Sequence, residues 1–310
     1  MKVFSSILAT VSLAVTLVAA KAEVGAAIDF AERTLARQWE YPTQFLQNIP
    51  PKMIHSHNDY WRDIPLLTAL SYGAASVEAD VWLLNGTLYV GHQLAALTPE
   101  RTLDTLYIQP LLQILSKGRP PNAFTANSTS PPGVFDMASD MPLQLLIDVK
   151  TDGFEALPSI LEALQPLREA GYLTTFSNGT LNVSVITVVG AGNAPLEQIE
   201  ALSPRDLFFD APLTQLTDRS LNTIWNATLS PLASANYSTA VGWNGTGTIG
   251  DAQMANITRF VGDAHARGIK ARFFDIPAWP VYVRDNIWRV LLDGGVDWLN
   301  VDDVAAAAAF

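Results

Sequence analysis

No cysteine occurs anywhere in the chain, so no disulfide holds it together and its stability has to come from packing. Basic residues are scarce too: 19 Lys and Arg stand against 30 Asp and Glu, a net charge of −11. That balance argues against nucleic acid or an anionic membrane bound by bulk electrostatics. It leaves room for an anionic substrate, because a bound cation inverts the field locally. Beyond the N-terminal segment no run is long and apolar enough to cross a bilayer, which takes about 20 residues. No internal repeat is visible, and no glycine-rich phosphate loop follows the first strand candidate.

The chain does have a distinctive start. Residues 1–22, MKVFSSILATVSLAVTLVAAKA, carry one early lysine, then an uncharged run of apolar and small residues that closes on Ala-Lys-Ala. This is the pattern of a cleaved secretory signal peptide. Asn-x-Ser/Thr then occurs eight times, at Asn85, Asn127, Asn178, Asn182, Asn226, Asn236, Asn244 and Asn256. Together they predict a secreted or secretory-pathway glycoprotein (extracellular, cell wall or vacuole) with N-glycans. Residues 23–310 have the size of one large α/β-barrel domain.

Apolar runs alternate with helical patterns along that domain. Strands are expected at 53–57, 76–84, the run LQLLID, 183–189, 207–210, 229–235, 270–274 and 298–301. Asn85-Gly86 marks a hairpin into a returning strand at 87–90. Helices are expected over 64–72, from Thr98-Pro99-Glu100 to about Ser116, and over 153–170, 252–267 and 281–292. Residues 118–141, rich in Pro, Ser, Asn and Gly, read as a surface loop. Strands that are continuous apolar runs, such as ITVV, are typical of buried parallel sheets. The expected fold is α/β, a (β/α)8 barrel, with an open doubly wound sheet as the rival.

Three of the four histidines lie within residues 54–92, in IHSHNDYW and TLYVGH, on either side of VEADVW. Strand side chains alternate, so Glu78 and Asp80 point one way and Val77, Ala79 and Val81 the other. Two carboxylates projecting together repel each other, and one divalent cation with oxygen ligands resolves this economically. Lys or Arg from neighbouring strands is the plainer solution. Asp148 ends another apolar run. Asn58, Glu78, Asp80 and Asp148 can then surround one ion, Mg2+ or Ca2+, with Lys150 facing the substrate's negative charge. His57 and His92 on either side suit phosphodiester cleavage, one removing a proton and the other supplying one. A strict hairpin places Asp80 opposite Gly91 and turns His92 to the wrong face, so the ladder has to break near Gly91. His55, Arg272 and Trp279 join Lys150 as expected substrate-side residues, with Tyr60, Trp61, Arg62 and Asp275 also near strand ends.

Ser56-His57-Asn58-Asp59-Tyr60 resembles the Ser-His-Asn-Thr-Tyr segment of phosphoinositide-specific phospholipase C. Glu78-Ala79-Asp80 followed by His92 resembles the Glu-x-Asp…His pattern of glycerophosphodiester phosphodiesterases and sphingomyelinase D, and Asp148-Val149-Lys150 resembles the Asp-Leu-Lys of the latter. The run HSHNDYW…VEADVW…VGH…RTLDTLYIQPLL is most similar to the fungal altered inheritance of mitochondria protein 6 family, of the phospholipase-C-like phosphodiesterase superfamily. The resemblance implies a TIM barrel and metal-dependent phosphodiester cleavage. It also implies His57 and His92 as acid and base, and Asn58, Glu78, Asp80 and Asp148 as metal ligands. The His-Arg-Gly and Pro-Glu-Asn-Thr signatures of the glycerophosphodiesterases are absent, so no named substrate transfers. His55-x-x-Asn58 also fits the sphingomyelinase D start, which leaves His55 and His57 as alternatives for the first histidine.

The expected function is a phosphoric diester hydrolase acting on a glycerophosphodiester, phospholipid or lipid head-group substrate. The alternative is a non-catalytic glycosylated barrel that binds a phosphorylated or sugar ligand. A glycosidase fits less well, because adjacent carboxylates on one strand suit a shared cation better than opposite sides of a glycosidic bond.

Overall fold

The computed structural model describes residues 25–30, 46–117, 133–218, 220 and 223–310. The signal-peptide expectation, the sequon at Asn127 and most of the expected 118–141 loop lie outside them. Two compact units are present, Met1–Gln44 and Phe45–Phe310. In the first, residues 25–30 are helical. The second contains the strands of the barrel.

The strands are β1 (Lys52–Ser56), β2 (Ala74–Leu84), β3 (Thr87–Val90), β4 (Leu143–Val149), β5 (Thr175–Ser177), β6 (Thr180–Asn182), β7 (Ile186–Gly192), β8 (Leu207–Pro212), β9 (Leu232–Asn236), β10 (Lys270–Phe274) and β11 (Leu299–Val301). Eight of them pair side by side in the order β10-β9-β8-β7-β4-β2-β1-β11. Every neighbouring pair in that order is parallel. A parallel bridge between Arg272 and Trp298 brings the two ends together, and Trp298 N–H donates to Ala271 O at 3.1 Å. The result is a nearly closed (β/α)8 barrel, as the apolar runs and their spacing predicted.

The helices are α1 (Leu67–Ser71), α2 (Gln109–Lys117), α3 (Gly153–Ala163), α4 (Gln165–Glu169), α5 (Leu196–Ala201), α6 (Tyr237–Ala240), α7 (Asp251–His265), α8 (Val281–Asp293) and α9 (Val304–Ala309). Two expected helices differ. The one predicted from Thr98 starts later, with a wide turn at Asp104–Ile108 leading into α2. The reason is local pairing: Val90 N–H donates to Arg101 O, and Tyr89 bridges Thr102, so residues 101–102 extend the hairpin. Thr102 Oγ1 then accepts from Thr105 N–H at 3.1 Å while Thr105 Oγ1 accepts from Thr102 N–H at 3.0 Å, a reciprocal cap that fixes the start. The single helix expected over 153–170 is two, α3 and α4, divided at Leu164 with Pro166 in the first turn of the second. The hairpin β5–β6, turning on Asn178-Gly179, was not expected.

The core is aliphatic and continuous around β2, β4 and β7, where Val77, Ala79, Val81, Leu145, Ile147, Val188 and Val189 are buried. The β4–α3 and β7–α5 loops clasp each other at the C-terminal rim. Asn193 N–H donates to Val149 O at 2.9 Å, and Asn193 Nδ2 donates to Thr151 O at 3.1 Å. The clasp leaves no space for a side chain at position 153, where a Cβ would fall 1.8 Å from Asn193 O. Gly153→Ala should therefore lower stability by about 1–3 kcal/mol or more in urea unfolding, the cost of overpacking against backbone.

Candidate active site

Parallel register delivers the acidic side chains to one point. Asp80 and Asp148 are register partners on β2 and β4, so their carboxylates leave the barrel side by side, with Glu78 one pleat deeper. One oxygen from each of the three lies within 4.8 Å of the others. Lys150, just past the end of β4, places Nζ 2.9 Å from both Asp80 Oδ2 and Asp148 Oδ2. Gly192 makes room for Asp148, since a Cβ there would fall 2.0 Å from Asp148 Oδ1.

Asp80 is 1% exposed, and its Oδ2 is crowded by donors: Tyr60 O–H at 2.7 Å, Lys150, and His92 Nδ1 at 3.2 Å. Its Oδ1 is buried with no hydrogen-bond partner among the described residues. A buried carboxylate oxygen without a donor is costly, and a cation at that oxygen removes the cost. The donor set of Glu78, Asp80, Asp148 and the Asn58 amide oxygen is all-oxygen, which suits Mg2+ or Ca2+. These residues therefore fit a divalent ion. Burial first, and then the charge of Glu78, pushes the Asp80 carboxyl up, while Lys150 opposes both.

The segment after β1 supplies the rest. Asn58 takes a left-handed conformation (φ 47°, ψ 48°), tolerated by Asn, which turns its N–H onto Glu78 Oε2 at 3.0 Å. Tyr60 O–H lies between Asn58 Oδ1 and Asp80 Oδ2, with one proton for two oxygens. Leu66 forms a rare γ-turn (φ 62°, ψ −59°) closed by Leu67 N–H to Pro65 O. Buried Asp59 holds this segment, accepting from Ser56 Oγ, Leu66 N–H and Tyr107 O–H. Burial pushes the Asp59 carboxyl up to about 6 despite those donors.

The two expected histidines stand on opposite sides of the acidic group. β3 ends at Val90, with Asp80 O still accepting Gly91 N–H at 3.1 Å, and the chain then turns so that His92 comes back over Asp80. The ladder ends where the alternation rule required it to. The His92 ring meets Trp61 edge-on at 5.4 Å. His57 is the register continuation of Ser56, which pairs with Val301, so His57 and Asp302 emerge together. Its Nδ1 lies 2.9 Å from Asp302 Oδ1 and its Nε2 3.7 Å from Glu78 Oε2. Burial lowers its pKa, but the Asp302 bond and the Glu78 charge outweigh burial and raise it overall.

His55 sits differently. It is fully buried inside the barrel, with Nδ1 2.7 Å from Ser76 Oγ and Nε2 2.6 Å from Arg272 Nη1. A guanidinium only donates, so Nε2 accepts and the proton is on Nδ1. Burial and the Arg272 charge lower the His55 pKa to about 4, which keeps the ring neutral. An Nε2 engaged as acceptor cannot also donate to Glu78, 3.6 Å away. Burial would push Glu78 up, yet the carboxyl is held below the usual range, with the charges of His57 and Arg272 among the causes.

Arg272, expected at the substrate, is 4% exposed and lies within the barrel. It donates to Ser234 Oγ, His55 Nε2, Asn300 Oδ1 and Asp210 Oδ2. Trp279 is 77% exposed on the loop between β10 and α8 and does not meet the acidic group. Asp302, Asn300, Asp210 and Asp59 were not singled out from sequence. The signal for the first two was present: polar residues at alternate positions, Asn300 and Asp302, closing an apolar strand.

Comparison with known proteins adds a family. Residues 43–210 match the model of the AIM6-like phosphodiesterase domain. The altered inheritance of mitochondria protein 6 homolog of Arthroderma benhamiae is 43% identical over 282 residues, covering 88% of each chain. The Eremothecium gossypii altered inheritance of mitochondria protein 6 is 36% identical, covering 83% of this chain and 69% of its own. Among solved structures, a glycerophosphodiester phosphodiesterase from Parabacteroides distasonis is similar at 12% identity and a TM-score of 0.47, over 84% of this chain and 98% of its own.

The barrel floor has a titration of its own. Asp210 is buried with Oδ1 unpartnered, and burial pushes its carboxyl up to about 6, with Arg272 opposing. A folded pKa above the unfolded value gives stability that is full below about pH 4 and lost as pH rises through 6. In urea unfolding Asp210→Asn should lose stability to the stranded Arg272 charge, and should compare better with wild type at pH 7 than at pH 4, because wild type alone bears the cost of ionising Asp210 as pH rises.

Proposed function

The chain belongs to the AIM6-like phosphodiesterase family, and on that basis we propose that it is a metal-dependent phosphoric diester hydrolase. The observation that carries this reading is the gathering of Glu78, Asp80 and Asp148 within 4.8 Å, between two histidines that follow separate strands. Asn58, Glu78, Asp80 and Asp148 hold one Mg2+ or Ca2+. When bound, the ion polarises the phosphoryl group and offsets the charge that builds up in the transition state.

The protein's own groups do the rest. His57 donates from Nδ1 to Asp302, which orients the ring and leaves Nε2, on the Glu78 side, as the atom that exchanges a proton. His92 exchanges the second proton from the Asp80 side. A hydroxyl of the substrate or a water attacks phosphorus and gives its proton to one histidine. The bond from phosphorus to the departing alcohol breaks, and the other histidine protonates that oxygen. The Lys150 ammonium adds positive charge for the phosphate oxygens. Its two carboxylate contacts fix it at the mouth rather than in solvent. His55, with both nitrogens engaged inside the barrel, supports the floor instead of moving protons. The substrate is a glycerophosphodiester or a phospholipid-type diester.

His57→Ala and His92→Ala should each lower hydrolysis of a susceptible diester by at least roughly 100-fold, the usual contribution of a positioned acid or base. Removal of divalent metal with a chelator should abolish wild-type activity, and added Mg2+ or Ca2+ should restore it. Full activity in both histidine variants, or in the chelated enzyme, would sink the assignment. Metal binding without turnover across a broad diester panel would favour the non-catalytic barrel.

The secretory reading is part of the same proposal. It rests on residues 1–22 and on sequons whose Asn side chains have room: Asn85, Asn178, Asn182 and Asn244 are exposed. Asn85 and Asn178 occupy equivalent hairpin turns, each left-handed and followed by a left-handed Gly. No helix among the described residues is long and apolar enough to cross a membrane. In a fungal host, peptide N-glycosidase should lower the apparent mass of the protein; an unchanged mass counts against passage through the secretory route.

A further inference from the structure

His92 is the less secured of the two histidines. His57 continues the β1 ladder, whereas His92 lies past the end of β3 and its side chain is 45% exposed. Its side-chain contacts do not fix it alone. Asp80 Oδ2 takes its nearest donors from Tyr60 at 2.7 Å and Lys150 at 2.9 Å, and His92 Nδ1 comes third at 3.2 Å. The Trp61 ring that meets it edge-on is itself 55% exposed. The placement of His92 therefore depends on the backbone that delivers it.

That backbone is held twice from β2. Asp80 O accepts from Gly91 N–H at 3.1 Å, and Gly91 O accepts from Trp82 Nε1–H at 2.7 Å. Glycine turns about φ and ψ with few steric limits, so a bond to its N–H alone leaves its carbonyl free to swing. The second bond removes that freedom. The carbonyl held by Trp82 belongs to the planar peptide unit that carries the His92 nitrogen, so fixing it fixes where His92 begins. We propose that Trp82 is a positioning residue for His92, its indole N–H setting the peptide on which that histidine is mounted. The proposal rests on the hydrolase reading, in which His92 exchanges a proton.

The hairpin makes the contact reachable. Trp82 stands opposite Tyr89, which puts Gly91 on the diagonal, a span that an aromatic side chain covers. An indole nitrogen only donates, and a carbonyl only accepts, so the bond has one possible direction. Packing by itself does not engage an indole N–H in this protein. Trp225 and Trp298 are 5% and 3% exposed, and neither Nε1 has a hydrogen-bond partner among the described residues. Half-buried Trp82 instead aims its N–H at the carbonyl preceding a proton-transfer residue. Phe would pack the hairpin equally well and would leave that carbonyl without this donor.

Trp82→Phe removes the N–H and keeps a ring, and replacement of Trp82 by benzothienylalanine puts sulfur there without altering the ring shape, which protects the fold. In Mg2+-supplemented protein acting on the methyl phosphodiester of glycerol, followed by phosphorus NMR, each should lower kcat about tenfold or more and leave KM within about twofold. In a His92→Ala background each should change kcat by less than about twofold, because a group that acts through His92 then has nothing to place. Nitrogen-15 NMR of the four imidazoles follows the same placement without turnover. At about pH 8, where a free imidazole is neutral, the His92 signals should move towards the tautomer mixture of a free ring, while those of His55 and His57 stay in place. Unchanged kcat and unchanged His92 signals in the benzothienylalanine protein, or an equal loss of kcat with and without His92, overturn the proposal. A change at His92 in a protein that turns over no diester keeps Trp82 in its role and removes the hydrolase reading. Turnover that depends on His92 and is indifferent to Trp82 does the reverse.

Discussion

The barrel mouth depends on one buried cation, the Arg272 guanidinium. Taking a charge out of water costs several kcal/mol unless hydrogen bonds and counter-charges replace the solvent. Arg272 has both: Asp210 as ion pair, and Ser234, Asn300 and His55 as acceptors. Each contact fixes something else. The bond to His55 selects one imidazole tautomer and directs the other nitrogen to Ser76 Oγ, which also accepts from Gln144 Nε2. The bond to Asn300 orients its amide, with Oδ1 towards the guanidinium. The positive charge helps keep Glu78 ionised although Glu78 is 4% exposed. Without the guanidinium these groups would have to find new partners together, because they share it.

The strand register turns that floor into a site. His55, Ser76, Gln144 and Asn300 are matched partners across β11, β1, β2 and β4, so the polar layer is level. Towards the C-terminal ends, the same pairing sets His57 beside Asp302 one side-chain step on, and Asp80 beside Asp148 two steps on. His57 and the three carboxylates are thus placed by backbone ladders, and loops contribute His92, Lys150 and the turn at Asn58. Precision of this kind is what reaction geometry asks of a scaffold. It also explains why His57 is central: it lies between Glu78 of β2 and Asp302 just past β11, and contacts both.

Much of this was readable in the sequence, and the remainder was hidden for definable reasons. The barrel was legible because parallel strands buried on both faces are written as apolar runs, and because the alternation in VEADVW places two carboxylates on one side. The break at Gly91 followed from the same alternation. The late start of α2 was concealed because Thr98-Pro99-Glu100 is a sound helix opening, overridden by residues 101–102 pairing with β3. Arg272 read as a substrate residue because an arginine in a short apolar strand has the same appearance whether it points to the mouth or into the barrel. Only the closure between β10 and β11 decides that. Asp302 and Asp210 were missed because each finds its meaning in a partner far along the chain, His57 and Arg272.

Charge balance gives the proposed metal a second reason to be there. At the mouth Asp80 and Asp148 share the single ammonium of Lys150, while Glu78 is met by the charges of His57 and Arg272, in a protein of net charge −11. A phosphodiester brings another negative charge to a place already negative. Lys150 cannot correct this alone, because both of its short contacts are to carboxylates that it helps to neutralise. Coulomb repulsion between like charges a few ångströms apart, in a region where Asp80 is buried, is far stronger than at an exposed surface. On the proposed reading a divalent ion reverses the sign of the field where the phosphate has to sit. Its role in admitting the substrate then precedes any role in the bond-breaking step.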